Sequence, residues 1–370
     1  MKMKEDLRVL LVAPYGGVAG GISRWTSHIL EYHKTIKSNV VLDLVSTGRS
    51  TFLNINTSPL YRLYAAIKDY KGIIKNFISH INRNTYDVMH LTSSGSWSLF
   101  KDLYMIKKAK NKGIKTIIHF RFGRIPDLAR YNNWEWKYVK KVMSLVDKAI
   151  VIDEFTYQTL KDAGFNNIVF LPNPVSENVC SIVDKNQNIK REERLLLFTG
   201  HVVLTKGVCE LVEACKRISN IKVKIVGHVL SDMKEHLQKL AGENNDWLQI
   251  IGEEPYEDVI KDMLSCELFV LPTYTEGFPN VILESMACGC TIITTPVGAI
   301  PSMLDIKSNT PSGVCVPIKN VDLLSDKIMY YLEHKNEALE MGVRAKNRVN
   351  REYSMPSVWN KMLNIWNSLL

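Results

Sequence analysis

The sequence predicts an α/β protein built as two doubly wound domains, on three observations. A length of 370 residues exceeds what one hydrophobic core usually serves. Short apolar runs alternate with helical-period segments in two successive series, the pattern of largely parallel sheets. Between the series, Leu171-Pro-Asn-Pro-Val175 leads into a polar stretch, 176–194, that reads as a linker.

The first series opens with Leu7 to Ala13 as a strand. It runs into the glycine-rich Pro14-Tyr-Gly-Gly-Val-Ala-Gly-Gly21, and Ile22, Trp25, Ile29 and Ile36 then recur at helical spacing. Further strands are expected over 40–45, 87–91, 115–120 and 148–152. Ligands on such sheets bind at the carboxyl ends of strands, and His119 stands at one such end, in Ile117-Ile-His-Phe-Arg-Phe-Gly-Arg124. A satisfied core histidine is the competing reading. Asp43 follows Gly21 at the distance a nicotinamide-binding unit gives its acid, but the glycines are paired rather than spaced as that fingerprint demands.

In the second series strands are expected over 195–200, 223–227, 247–251 and 268–272, with helices over 208–218 and 232–241. The strand over 268–272 meets Thr275-Glu276-Gly277-Phe278-Pro279-Asn280-Val281, from which a helix of about three turns runs to Gly289, with Asn280 as its cap. Strand, glycine loop and helix N-terminus make an anion site, because free amides and the positive end of the macrodipole point the same way. Glu276 and Glu284 add two carboxylates. A site that accepts phosphate and also offers carboxylates suits a sugar nucleotide.

Composition narrows the class. Hydrophobic content of 46% with 23% charged residues is that of a soluble globular protein. No run of 18 apolar residues exists, and Glu5, Asp6, Arg8 and Pro14 interrupt any signal-peptide core. The seven cysteines all lie from residue 180 onward; odd in number and scattered, with Cys288-x-Cys290 the only close pair, they suggest reduced thiols and a cytoplasmic protein. Residues 1–175 hold 26 Lys and Arg against 13 Asp and Glu, a net +13 within the overall +9, so the remainder is net −4. Three basic, aromatic-bearing stretches lie between Tyr61 and Lys148. Solvated helix faces are one reading of them and an anionic membrane surface is the other; no nucleic-acid-binding motif accompanies them. No D-x-D motif occurs, so no metal is expected.

The string Glu276-Gly-Phe-Pro-Asn-x3-Glu284-x-Met-Ala-x-Gly289, followed by Thr291-Ile-Ile-Thr-Thr-Pro-Val-Gly-Ala-Ile-Pro301, resembles the donor-site block of family 4 retaining glycosyltransferases. Gly200-His-Val-Val-Leu-Thr-Lys206-Gly207 resembles that family's G-R-x4-K-G phosphate loop, with His201 in place of the two-pronged arginine. The resemblance implies the GT-B fold, two Rossmann-like domains facing a cleft. Residues 1–175 would be the acceptor-side domain and 195–352 the nucleotide-sugar domain. A final helix within 353–370, with Val358, Met362, Ile365 and Leu369 on one face, would return to the first domain.

It further implies transfer of a hexosyl group, with retention, from a UDP- or GDP-linked sugar to a saccharide or lipid-linked acceptor, with no cofactor. Lys206, His201, Gly207 and the backbone from Phe278 and Pro279 to Asn280 and Val281 would hold the diphosphate, and Glu284 the ribose. Glu276 and His119 would serve the sugar, Gly20 and Gly21 would approach the donor phosphates or acceptor, and Arg121 and Arg124 would meet the acceptor. Bacterial surface polysaccharide synthesis, on the inner face of the membrane, is the implied setting. The same fold serves nucleotide-sugar 2-epimerases and pyridoxal-phosphate sugar phosphorylases. A catalytically inactive relative that binds partners, with His201 as the trace of lost catalysis, is a further alternative.

Overall fold

The structure, a computed structural model, describes residues 6–16, 21–48 and 58–370. The chain divides into two compact units, Met1–Pro172 with Val358–Leu370, and Asn173–Ser357.

The first unit contains strands β1 (Leu7–Ala13), β2 (Val40–Ser46), β3 (Val88–Ser93), β4 (Lys115–Phe120), β5 (Lys148–Val151) and β6 (Ile168–Phe170), in the order β2-β1-β3-β4-β5-β6 and parallel throughout. Helices α1 (Gly21–Thr35), α2 (Pro59–Arg83), α3 (Ser98–Lys110), α4 (Ile125–Arg130), α5 (Trp134–Met143) and α6 (Glu154–Asp162) connect them. β1 is a continuous apolar run because a parallel sheet is covered on both faces, and Val9 to Ala13 are fully buried. The strand order reverses at β1, between β2 and β3. Asp43, the residue that invited a nicotinamide reading, accepts a hydrogen bond from the Tyr86 hydroxyl at 2.8 Å.

The second unit contains α7 (Glu177–Lys185), β7 (Glu192–Thr199), α8 (Val208–Cys215), β8 (Lys222–Val226), α9 (Ser231–Ala241), β9 (Leu248–Gly252), α10 (Tyr256–Ser265), β10 (Cys266–Leu271), α11 (Asn280–Ala287), β11 (Thr291–Thr294), α12 (Ile300–Met303), β12 (Val314–Cys315), α13 (Val321–Glu333) and α14 (Lys335–Glu352). Its sheet runs β12-β11-β10-β7-β8-β9, so the direction of winding switches between β7 and β10. In doubly wound sheets that switch point opens a crevice at the carboxyl ends of the strands.

The expected strands are present with ends shifted by a few residues. β6, β11 and β12 were not read as strands from the sequence. The stretch 176–194, expected as a linker, carries α7 and the start of β7. α11 has eight residues, about two turns rather than three, because Pro279 is extended (φ −74°, ψ 115°) and the helix starts only at Asn280. Asn280 is therefore the first helical residue, and its side chain caps nothing. Gly289, at φ 66°, stops the helix as expected. Cys266, Cys288 and Cys290, far apart in the sequence, meet in the core beside Arg191, which donates to the carbonyls of Cys266, Cys288 and Gly289.

The last helix, α15 (Met355–Asn367), packs in the first unit from Val358 onward. Val358, Met362 and Ile365 are buried as the helical spacing predicts, together with Trp359 and Trp366. Trp359 stacks on His33, with ring centroids 5.4 Å apart, and Lys148 donates to Ser368. No described helix is long and apolar enough to cross a membrane.

Candidate active site

In the second unit three glycines bring the loops beyond the strand ends into contact. A Cβ on Gly207 would lie 2.0 Å from the Pro272 carbonyl oxygen, and one on Gly227 would lie 1.9 Å from that of Gly200. At Gly298 it would lie 2.3 Å from the Glu276 carbonyl. All three have positive φ, so both space and conformation demand glycine. Backbone bonds complete the join: Tyr274 N–H donates to Thr205 O and Ala299 N–H to Gly277 O, both at 2.8 Å.

The loops after β7 and β10, which flank the switch point, therefore form one surface. On it Lys206 Nζ pairs with Glu276 Oε1. Lys206 ends a single 3-10 turn, Leu204–Lys206, and Glu276 lies in the glycine loop. Their side chains are 25% and 12% exposed, so the cation can reach a ligand while the carboxylate is largely enclosed. Beside the pair Phe278 and Pro279 are buried, and the amides of Asn280 and Val281 open α11, where no helical carbonyl precedes to accept them.

Glu284 Oε1 accepts from the Tyr256 hydroxyl at 2.7 Å. Asn280 Oδ1 accepts from Asn173 Nδ2 at 3.2 Å. His201 is exposed, with the ring of His228 6.2 Å away. Tyr256 and His228 were not singled out by the sequence, and each comes from an element whose own motif is silent; Asn173 stands in Leu171-Pro-Asn-Pro-Val175, which the sequence marked only as the way out of the first domain.

In the first unit His119 ends β4 but has no exposed surface. Its Nδ1 lies 3.1 Å from His90 Nε2, and its Nε2 lies 3.4 Å from Arg121 Nη1. The edge of Trp25 meets the ring at a centroid distance of 5.2 Å. Burial, with the Arg121 charge second, holds His119 far below the usual imidazole range and pulls His90 down to about 3. Both rings are therefore neutral at physiological pH. Burial also lowers Arg121, whose Nε has no hydrogen-bond partner.

Arg124 is engaged elsewhere. Its Nη2 donates to Ser96 Oγ at 2.9 Å and to buried Glu135 at 2.6 Å, tying the loop after β3 to α5. Gly21 is exposed at the start of α1, with open space where a Cβ would go; Gly20 lies outside the described residues. A cavity of about 420 Å³ lies at the carboxyl ends of β1 to β3, lined in part by Pro14, Thr47, Asp69, Thr92, Ser94 and Lys101. The two sets of groups belong to separate units.

Profiles of known families match both units. "Glycosyltransferase Family 4" matches residues 20–179, and "Glycosyl transferases group 1" matches residues 182–348. This chain belongs to glycosyltransferase family 4. An uncharacterized glycosyltransferase of Haemophilus influenzae is 26% identical over 343 residues, 87% of this chain and 91% of that protein. The N,N'-diacetylbacillosaminyl-diphospho-undecaprenol alpha-1,3-N-acetylgalactosaminyltransferase of Campylobacter jejuni is 28% identical over 186 residues. That match covers 50% of this chain and 48% of the relative, so the family 4 chain spans about half the length of this relative.

Two solved structures share the GT-B fold over nearly the whole of both chains. Sucrose-phosphate synthase from Thermosynechococcus elongatus has a TM-score of 0.73 at 15% identity, covering 98% of this chain and 99% of that one. Anabaena HepE in complex with UDP-glucose has a TM-score of 0.68 at 14% identity, covering 98% and 100%.

Proposed function

We propose that this family 4 protein transfers a hexosyl group from a nucleoside diphosphate sugar to an acceptor hydroxyl, with retention and without a metal ion. The observation that carries the reading is the Lys206–Glu276 pair at the β7/β10 switch point, beside the N-terminus of α11. A diphosphate arriving there draws Lys206 toward itself and receives the amides of Asn280 and Val281. Charge developing on the leaving group is then met by donors already in place. Loss of its lysine leaves Glu276 to face the sugar and support positive charge at the anomeric carbon. Glu284, oriented by Tyr256, holds the ribose hydroxyls. His201 adds an imidazole donor where the family's phosphate loop carries arginine.

On the first unit, His119 and Arg121 serve the sugar or the acceptor, and the cavity beside β1 to β3 receives the acceptor. The Campylobacter relative is named for a diphospho-undecaprenol acceptor, and another relative is named for capsular polysaccharide synthesis in Staphylococcus aureus. These names support a lipid-linked acceptor in surface-glycan assembly.

The test is turnover. The full chain is incubated with UDP- and GDP-linked hexoses and glycan acceptors, and the product's anomeric configuration is read by NMR. Glycosylated acceptor with the donor's configuration is expected. Conversion of the nucleotide sugar without acceptor would identify a 2-epimerase instead, and no turnover with a bound nucleotide would identify an inactive relative.

A further inference from the structure

Four nitrogen-bearing side chains of the first unit stand in a row. Trp366 Nε1, on the last helix, donates to His90 Nδ1 at 3.1 Å. His90 Nε2 lies 3.1 Å from His119 Nδ1, and His119 Nε2 lies 3.4 Å from Arg121 Nη1. The indole and the guanidinium can only donate, and each neutral imidazole has one donor and one acceptor nitrogen. Three contacts must therefore accommodate four N–H groups, and one contact has to be donor against donor.

The distances locate the conflict. The Trp366–His90 and His90–His119 contacts have ordinary hydrogen-bond lengths, and the longest of the three is the one between His119 and Arg121. Since His90 Nδ1 accepts from the indole, its proton sits on Nε2 and points at His119 Nδ1. The proton of His119 is thereby placed on Nε2, facing Arg121. What the row lacks is one acceptor atom, and the buried Nε of Arg121 lacks one as well.

We propose that Trp366 is a positioning residue which, through His90, fixes His119 as its Nε2–H tautomer, and that this N–H and Arg121 together form a two-donor seat for one oxygen of the bound nucleotide sugar. The oxygen enters between the two donors as the Arg121 head moves off contact, and it accepts from both. The proposal rests on the reading that His119 meets the donor. It adds a tautomer and two residues, His90 and Trp366, that no motif assigns.

The test is a long-range proton–nitrogen NMR correlation on the full chain with nitrogen-15 histidine, in which bare and protonated imidazole nitrogens are well separated. His90→Gln and His119→Gln assign the signals. In the wild type both rings are expected as Nε2–H at neutral pH. Trp366→Phe keeps the ring but removes its N–H, so His90 and with it His119 should populate both tautomers. In that variant kcat should fall about tenfold with KM unchanged, the scale seen when the partner behind a working histidine is lost.

Addition of UDP and of UDP-glucose separates a phosphate oxygen from a sugar hydroxyl as the seated atom. A shift of the His119 Nε2–H signal with both assigns the phosphate, and a shift with UDP-glucose alone assigns the sugar. A shift with neither, in a chain that turns UDP-glucose over, overturns the seat. His119 found as Nδ1–H in the wild type overturns the proposal even if Trp366→Phe fails to fold, and it leaves the transferase reading standing. Absent turnover with the Nε2–H tautomer intact does the reverse.

Discussion

The two units hold their candidate groups by different means. In the second, Lys206 and Glu276 come together because glycines at 207, 227 and 298 let the loops after β7, β8, β10 and β11 touch through their backbones. In the first, His119 is fixed by side chains alone, with His90 on the neighbouring strand, Trp25 on α1 and Trp366 more than two hundred residues away. Backbone devices require particular residues at fixed spacing and so leave a local motif. A side-chain network leaves none, because any strand or helix can supply its members.

The comparison is broken most directly at the glycines. Gly207→Ala adds a Cβ against Pro272 O in a left-handed conformation, and should destabilise the protein by about 2–4 kcal/mol in denaturant unfolding. Gly21→Ala meets open space and should leave stability unchanged or slightly raised. Equal effects at the two sites would contradict the contrast.

Turnover comes next. Glu276→Ala and His119→Ala are each expected to lower kcat on the order of 100-fold while nucleoside diphosphate still binds. Wild-type rates in either variant remove that residue from the site.

Acid provides a smaller, graded test. His90 and His119 have folded pKa values below the unfolded 6.5, so the unfolded chain binds more protons as pH falls. Their contribution is complete above about 6.5. It is lost on going down toward about 3 for His90, and over a window reaching well below the ordinary value for His119. Each ring should cost about 1.4 kcal/mol per pH unit in that window. The facing groups, Trp25, Trp366 and Arg121, include no carboxylate that could hold the extra proton. Urea unfolding from neutral to acid pH should show a shallower slope in His90→Gln. An unchanged slope would place the buried protons elsewhere.

The smallest effect per residue is expected from the charge split. α2, α3 and α5 pack side by side, and α3 and α5 expose Lys107, Lys108, Lys110, Lys137, Lys140 and Lys141 with Phe100, Tyr104 and Trp134. Their carboxylates, Asp102 and Glu135, are buried. Charge reversal at Lys107, Lys108, Lys140 and Lys141 should weaken sedimentation with anionic liposomes by about 1 kcal/mol per residue at low salt. Equal changes in the second unit should not. Binding to neutral vesicles as strong as to anionic ones would defeat the membrane proposal.

Most of the fold was legible, because buried parallel strands are short apolar runs between helices. β6 and β12 have three and two residues and rise above no sequence background. The glycine loop at 276–281 and the Lys206-Gly207 turn were legible as loops beyond strands, though not the extended Pro279 or the idle cap position of Asn280, and His119 was legible as a strand end. Its partners His90 and Trp366, the Tyr256 hydroxyl on Glu284 and the meeting of three cysteines around Arg191 were not. Each depends on strand order and on which helix returns, information that no local spacing carries.

The central claim is that the β7/β10 switch point, with Lys206 and Glu284, binds a nucleoside diphosphate. Calorimetry of the full chain with UDP and GDP tests it most directly. One of the two should bind, and Lys206→Ala and Glu284→Ala should each weaken that binding by about 1–3 kcal/mol, the scale of a charge-assisted hydrogen bond. Undiminished affinity in both variants would contradict the account.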